Sequence, residues 1–467
     1  MATFGDTLWF GPSLQRILPP SDEPYLPDGI DSLENGRGLI YSMDIYEGSH
    51  LVAGVGYPVE LDNSVTDAGM GFYLSTNSGS DWQFVEQPLE SQNDTTFKYG
   101  NDTLSKVPVV VPQQSPPYDI DIYEDVIMSA SWATGLLRST DLGTSWERLL
   151  LPPTNVGLLS PNSSYDFVFD PRQDNNFLGF GLLIENDNGR VWFGSAGGVN
   201  ISTNALTAPS DSVEWNHISS TSGSSNLLGN WIIAIEKNYN TGDIWMTNWP
   251  SNPNESYGLV ATSDNAQTFR QYLKGYKLYD VAFAPNAIYT VGDAGLFISR
   301  DGGDTWIQKN DIRNADTFIK SGARFLSVEY NSAHLWVGTS DGLAYSSDGG
   351  ETWEIRRTNM PLKGGNIFQQ DTPNVSAYAY PNPFSPTQHS ICRIKFKVEE
   401  QGDIKIRIFD YGMNLVKTLD KQSLNTGTYE AAWNGTDQHG LQVANGTYFY
   451  QVTGAGSSAQ GKILLME

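Results

Sequence analysis

Short stretches of alternating apolar and polar residues recur along most of this chain, and they come in sets. Leu278-Tyr279-Asp280-Val281-Ala282-Phe283 is followed by Ala287-Ile288-Tyr289-Thr290-Val291-Gly292 and then by Gly295-Leu296-Phe297-Ile298. A period of two over runs this short reads as half-buried strands. The next set, Phe325 to Tyr330, His334 to Gly338 and Gly342 to Tyr345, has the same grammar. Each set ends on a specified turn: Ser299-x-Asp301-x-Gly303-x-x-Trp306, then Ser346-x-Asp348-x-Gly350-x-x-Trp353, 47 residues on. Ser and Asp bond their own nearby backbone, and Gly supplies the positive φ that closes the turn. Trp then opens an outer strand with a large apolar anchor.

The turn recurs upstream. Ser139-x-Asp141-x-Gly143-x-x-Trp146 matches fully, and Ser75-x-Asn77-x-Gly79-x-x-Trp82 has Asn for Asp. Thr262-x-Asp264-x-Ala266-x-x-Phe269 keeps the shape, and Ser202-x-Asn204 begins a broken copy whose Trp215 is displaced by an insertion. The anchors Trp82, Trp146, Trp215, Phe269, Trp306 and Trp353 lie about 54 residues apart on average. Four antiparallel strands at such a period make one blade of a β-propeller, which must pack against further blades to bury its faces. Six units are counted this way. The segment from Asp6 to Gly11 with Leu14 to Ile17 reads as the middle strands of a seventh, whose missing strand is expected near Gly365-Asn366-Ile367-Phe368. The expectation is seven blades, with six as the alternative.

After the repeats stop, Ala379-Tyr380-Pro381-Asn382-Pro383-Phe384-Ser385-Pro386 forms a stiff entry to something new. Alternating runs follow at Cys392–Val398, Ile404–Asp410, Tyr429–Trp433, Gly446–Val452 and Gly461–Leu465, joined by turns such as Asn434-Gly435 and Asn445-Gly446. About seven short strands in such a length read as an immunoglobulin-like sandwich. The fold expected is therefore all-β: a propeller over 1–370, a Pro-rich linker over 371–386 and a sandwich over 387–467. Long insertions from Glu86 to Pro117, Asp62 to Met70, Ala205 to Val213 and Ser219 to Gly229 read as surface loops at the rim.

Composition narrows the function classes. Gly at 46 and Pro at 24 fit many turns, and no run approaches the length of apolar chain needed to cross a bilayer, so no transmembrane segment is expected. The start lacks a basic region followed by an apolar core and so reads as no secretory signal, though a trimmed start would look the same. One cysteine, Cys392, excludes an intrachain disulfide framework, and five scattered histidines argue against zinc. Of the net charge of −25, none resides from Val375 onward, where eight acidic and eight basic side chains balance. The acidic body excludes nucleic acid as a partner. Solubility is its plain reading and a calcium-binding surface the sharper one; no other cofactor or metal is expected. Eight Asn-x-Ser/Thr sequons mark exposed polar loops.

The Ser-x-Asp-x-Gly-x-x-Trp units resemble the Asp-box, or BNR, repeats of β-propellers found in sialidases, xyloglucan-degrading enzymes, sortilin-type receptors and photosystem assembly factors. The resemblance implies that the box residues Ser75, Asn77, Gly79, Trp82, Ser139, Asp141, Gly143, Trp146, Thr262, Asp264, Phe269, Ser299, Asp301, Gly303, Trp306, Ser346, Asp348, Gly350 and Trp353 are structural and lie away from any catalytic centre. The last segment resembles the C-terminal sorting domain of Bacteroidetes-type secreted proteins and the related flagellar hook-capping immunoglobulin-like domain. The matching residues are Tyr380-Pro-Asn-Pro-Phe384, Gly427-x-Tyr429-x-x-x-Trp433-Asn-Gly-x-Asp437-x-x-Gly440, Val443-x-x-Gly446-x-Tyr448-x-Tyr450 and Gly461-Lys462-Ile463-Leu464-Leu465. This implies export by a type IX secretion system, with the secretion machinery as a partner and an extracellular or outer-surface location. The chain departs from the pattern at its end, Leu465-Met466-Glu467, where such domains commonly close near a lysine.

A sialidase would need converging arginines and a Tyr-Glu pair; Arg16-Ile17-Leu18-Pro19 is a weak echo of its early motif. Another glycosidase would need two carboxylates facing one cleft. Of the acids near first strands, Asp44, Asp121, Asp170, Glu236 and Glu329 sit towards strand ends and read as turn caps. Asp119 and Asp280 lie inside strands and are the candidates for lining a central channel. Trp192, Trp245 and Trp336, in second strands, read as inter-blade core. Trp132 and Trp249, beside loops, are the candidates for stacking on a ligand. The reading is a surface-exposed binding or scaffold protein with a protein or glycan ligand at the propeller. The alternative is a polysaccharide-active hydrolase working through channel carboxylates.

Overall fold

A computed structural model describes residues 1–11, 15–17, 38–61, 64–222, 226–357 and 373–467. The chain is almost entirely strand and turn, and none of its described helices is long and apolar enough to cross a membrane. It divides into two compact units. The first comprises Met1–Asn310, Arg324–Ser340 and Tyr345–Glu351, and the second Asp311–Ala323, Asp341–Ala344 and Thr352–Glu467.

Apart from 342–344 and Glu354–Arg356 of its last blade, which are grouped with the second, the first unit holds a β-propeller. Its blades start from seven innermost strands: β1 (Ala2–Phe4), β2 (Leu39–Tyr46), β3 (Pro117–Tyr123), β4 (Gly179–Ile184), β5 (Trp231–Lys237), β6 (Leu278–Ala284) and β7 (Phe325–Tyr330). Each contacts the next in order, and β1 lies against both β7 and β2, so the ring closes on seven blades. Blades 2 to 7 are antiparallel meanders of four strands, with a fifth, Leu158–Leu159, added to the outer edge of blade 4. Blade 1 shows three, with Thr7–Phe10 and Gln15–Ile17 outside β1. Its innermost strand thus comes from Ala2–Phe4. The Gly365–Phe368 segment expected to supply a strand lies outside the described residues.

The turn between third and fourth strands is built identically in blade after blade. Ser299 Oγ donates to Asp301 Oδ1 at 2.8 Å and accepts the Gly303 N–H at 2.8 Å, while Asp301 Oδ1 accepts the Thr305 N–H at 2.9 Å. The same bonds form around Ser75–Asn77, Ser139–Asp141 and Thr262–Asp264, and around Ser346–Asp348 with the Glu351 N–H, three residues on, given to Asp348 Oδ1. Short polar side chains are needed because only they reach back to backbone within the turn. The aromatic that follows packs on the preceding blade: Trp146 stacks on Phe72 at 4.6 Å, Trp306 meets Tyr272 at 6.4 Å, and Trp82 meets Trp9 at 5.6 Å. The broken copy is not lost. Asn204 Oδ1 accepts the Glu214 N–H at 2.9 Å, ten residues on, and Trp215 follows fully buried.

Gly303 carries φ +102°, and a Cβ there would meet the Tyr272 ring at 2.6 Å. Gly303→Ala is therefore expected to lower stability by about 2–3 kcal/mol, combining left-handed strain with a clash. A shift of the denaturant midpoint at constant slope would check it; an unchanged midpoint would refute the clash.

Two expected surface loops are ordered instead. Within the Glu86–Pro117 insertion, Thr96–Tyr99 and Asp102–Lys106 form a hairpin whose second strand pairs in parallel with Val168–Phe169. Tyr99, Leu104 and Val109 are buried there. Ala205 and Val213 are likewise fully buried, so the insertion between Asn204 and Glu214 packs inward. The Asp62–Met70 stretch belongs largely to a long hairpin, His50–Leu61 with Ser64–Ser75. The first two segments carry enough apolar surface to join the core, which their polar composition had hidden.

In the second unit, two sheets of three and four strands face each other. Ala377–Tyr380, Cys392–Val398 and Gly427–Trp433 form one; Leu415–Leu424, Gly402–Phe409, Gly446–Gly454 and Ser457–Leu465 form the other. Their inward residues, among them Ile394, Phe396, Ile406, Ile408, Trp433 and Val452, make the core, and Cys392 is buried within it. This is an immunoglobulin-like sandwich. Ala377–Tyr380, inside the stretch read as linker, is one of its strands.

Candidate functional site

The innermost strand of a propeller blade has one edge with no strand beside it, so its N–H groups face the axis unpaired unless a side chain or water meets them. Here carboxylates meet them from the blade before. Asp44 Oδ2 accepts the Ile122 N–H at 3.0 Å, and Asp121 Oδ2 accepts the Ile184 N–H at 2.5 Å. Asp119 Oδ2 accepts the Leu182 N–H at 2.8 Å, and Asp280 Oδ2 accepts the Val328 N–H at 2.9 Å. Asp119 and Asp280 each take a second bond, from the N–H of Ile120 and of Val281. Glu329 accepts from the Thr3 hydroxyl of β1 at 3.0 Å. These acids clip neighbouring blades together along the axis.

Asp44, Asp121 and Glu329 are thus bonded across blade seams, contrary to the turn-cap reading. Asp170 does cap its turn, accepting from the Arg172 and Gln173 side chains, but it follows Val168–Phe169 and lies on no innermost strand. Asp119 and Asp280, the candidates for lining the channel, have both carboxylate oxygens engaged by backbone N–H groups. Glu236 differs from all of these: it has no hydrogen-bond donor among the described residues and is exposed to the water of the channel while protein surrounds it.

Burial raises the proton affinity of five of these acids. Burial, opposed by the two N–H bonds and reinforced by Asp280 and Asp44, pushes Asp119 up to about 8. Burial first, and then the charge of Asp280 among others, lifts Glu329 to about 7. Glu236 and Asp121 are held well above the ordinary carboxylate range by burial and then by neighbouring carboxylates, and Asp280 is raised by burial. The belt is not a metal-ligand set; no three His, Cys, Asp or Glu among the described residues are disposed to hold an ion.

At the end of the channel where these strands begin, the register of the innermost strand slips by one residue in six blades. The slips fall between Ile40 and Ser42, Pro117 and Asp119, Gly179 and Gly181, Ile232 and Ile235, Leu278 and Asp280, and Phe325 and Ser327. A bulge of this kind re-aims the extra side chain. The extra residues include Tyr41, Tyr118, Phe180 and Tyr279, all half-buried, and Leu326, 40% exposed.

These rings join into an arc across blades. Tyr118 stacks on Phe180 at 5.3 Å and 7°, and Phe180 lies 5.2 Å from Trp231. Trp231 lies 6.2 Å from Trp249, which meets Tyr279 edge-on at 5.5 Å. Trp132 stands edge-on to Phe180 at 5.5 Å. Both tryptophans proposed for ligand stacking, Trp132 and Trp249, therefore sit in one half-buried arc, whereas Trp192, Trp245 and Trp336 are buried. The rim is polar: Tyr41 donates to Asp67 at 2.8 Å and Tyr279 to Asp293 at 2.7 Å. The Lys277 ammonium rests 4.1 Å from the Trp249 ring centre. The sequence held one trace of the arc, an apolar residue directly before Ser42, Asp119, Gly181, Asp280 and Ser327.

Residues 387–458 match the FlgD Ig-like domain family. No curated protein matches the chain. Among solved structures it is similar to PorZ, a surface component of the type-IX secretion system of Porphyromonas gingivalis, at 16% identity and a TM-score of 0.44, over 92% of this chain and 59% of that one. It is also similar to an ancestral GH74 enzyme, at 14% identity and a TM-score of 0.46, over 97% and 59%. A third is YCF48 from Cyanidioschyzon merolae, at 13% and 0.41, over 69% and 85%. The chain spans 59% of the length of the first two. At these identities the likeness concerns fold alone.

Proposed function

We propose that this chain is an extracellular or outer-surface binding and scaffold protein: an Asp-box propeller over 1–370 that presents a ligand face, followed by a type IX sorting domain that engages the secretion machinery. The turn chemistry shared by five blades supports the Asp-box reading. The match at 387–458 and the Tyr380–Phe384 and Gly427–Gly440 residues support the sorting domain. The observation that carries the binding role is the arc, where bulges place Tyr118, Phe180 and Tyr279 partly in water rather than in the core. Aromatic side chains left half-exposed in a contiguous run mark interaction sites.

A hydrolase is the second reading, favoured by one observation. Glu236 is open to channel water, lacks a hydrogen-bond donor among the described residues, and has its proton held by burial and by Asp280. That is the state of a general acid. Screening the purified chain against a glycan array and for polysaccharide hydrolysis separates the two. No release of reducing sugar is expected. Release that disappears in Glu236→Gln, Asp119→Asn or Asp280→Asn would put the hydrolase in its place.

A further inference from the structure

We propose that the aromatic arc seats a basic, extended segment of a partner protein, one of whose Lys or Arg side chains enters the channel mouth. The proposal rests on the arc being the ligand face and adds the class of ligand.

Charge complementarity argues for it. Asp119 and Asp280 follow the bulged Tyr118 and Tyr279 directly, so each acid stands one strand step, about 3.3 Å of rise, beyond a ring-bearing residue. Further in stands Glu236, with no donor among the described residues, whose proton an incoming cation would displace because an opposite charge favours the ionised carboxylate. Ring faces above and carboxylates below both attract cations. Anionic ligands meet the field of a body that carries the whole −25. Lys277 displays the fit within the molecule, its ammonium 4.1 Å from the centre of Trp249 and 5.5 Å from that of Tyr279. An incoming cation would use the same faces. The polar rim of Asp67 and Asp293 would accept from the N–H groups of an extended backbone.

The test uses the full chain, a fluorescent peptide of alternating Lys and Ser, its Glu-Ser counterpart and a neutral β-glucan oligosaccharide, titrated at low salt. The Lys-Ser peptide is expected to bind and the Glu-Ser peptide not. Trp249→Ala is expected to weaken binding about tenfold. Trp132→Ala is the alternative should that variant fail to melt cooperatively. Glu236→Gln should weaken it about threefold, and Asp304→Asn, an exposed charge on an outer turn, should leave it unchanged. Lys277→Ala, which frees the Trp249 face, should tighten it several-fold, a change that loss of packing would not produce. Equal weakening by Asp304→Asn and Glu236→Gln would mean diffuse charge attraction and overturn the proposal, as would absence of peptide binding. Binding of the oligosaccharide that is lost in Trp249→Ala would overturn the basic partner while leaving the arc as the ligand face. Binding of every probe indifferent to Trp249 would remove both.

Discussion

Glu90→Ala is expected to destabilise the propeller by about 3 kcal/mol, at the lower end of the range for breaking a buried ion pair. Glu90 bridges Lys106 at 2.7 Å and Arg148 at 3.0 Å, and it accepts the Val109 N–H at 2.7 Å. The two cations have side chains only 5% and 2% exposed. Lys106 keeps Asp94 at 2.7 Å, and Arg148 keeps the carbonyls of Ala133 and Thr134 and the face of Phe169, so the loss stays near 3 rather than 5. Burial already lowers Arg148 to about 10, and removing its carboxylate leaves that burial uncompensated. Glu90→Gln keeps the shape without the charge and should fall between wild type and Glu90→Ala. Chemical denaturation followed by tryptophan fluorescence reads the difference. A loss below about 1 kcal/mol would show that the insertion is held by its apolar contacts alone.

The second large effect is a fall in stability as pH rises from 5 to 8. Asp119, Asp121, Glu236, Asp280 and Glu329 have folded-state proton affinities above their unfolded values, so their contribution is complete below the unfolded value near pH 4. It is lost as pH rises through about 7 for Glu329 and about 8 for Asp119. The turn carboxylates act oppositely. Asp264 and Asp301, lowered to about 2 by bonds from Thr268 and Thr305, contribute above pH 4, and that contribution is lost as pH falls towards 2. Stability should therefore peak between about pH 4 and 6, with the melting temperature several degrees higher at pH 5 than at pH 8. The double variant Glu236→Gln, Glu329→Gln removes two titrating groups and should flatten that fall. A melting temperature that rises from pH 5 to 8 would show that the belt is fully ionised and relaxed.

What the sequence disclosed follows from the range of each interaction. The turns at Ser75, Ser139, Thr262, Ser299 and Ser346 close within eight residues, so every partner is visible in the motif itself. The alternation of Ile404–Phe409 or Cys392–Val398 is visible because one face of each strand is core. Ala2–Phe4 is too short to show a period, and so only the middle strands of blade 1 were legible. Asp119 and Asp121 bond N–H groups 63 residues away, in the next blade. Nothing local distinguishes Asp121 from a turn cap. The arc was hidden for a related reason: a bulge interrupts alternation, and Tyr118, Phe180 and Tyr279 then read as ordinary core positions. Trp132 and Trp249 stood out because loops flank them.

The turn at Asn204 bears on how such a protein can be altered. Asp301 reaches a backbone N–H four residues on, and Asn204 makes the same bond ten residues on with a packed excursion between. Two anchor points therefore define the turn, and chain length between them is free to vary. The corresponding positions between Asp141 and Ser145, or between Asp301 and Thr305, are accordingly ports for grafted peptides. An epitope spliced there should be displayed on the outer edge of its blade with the ring undisturbed.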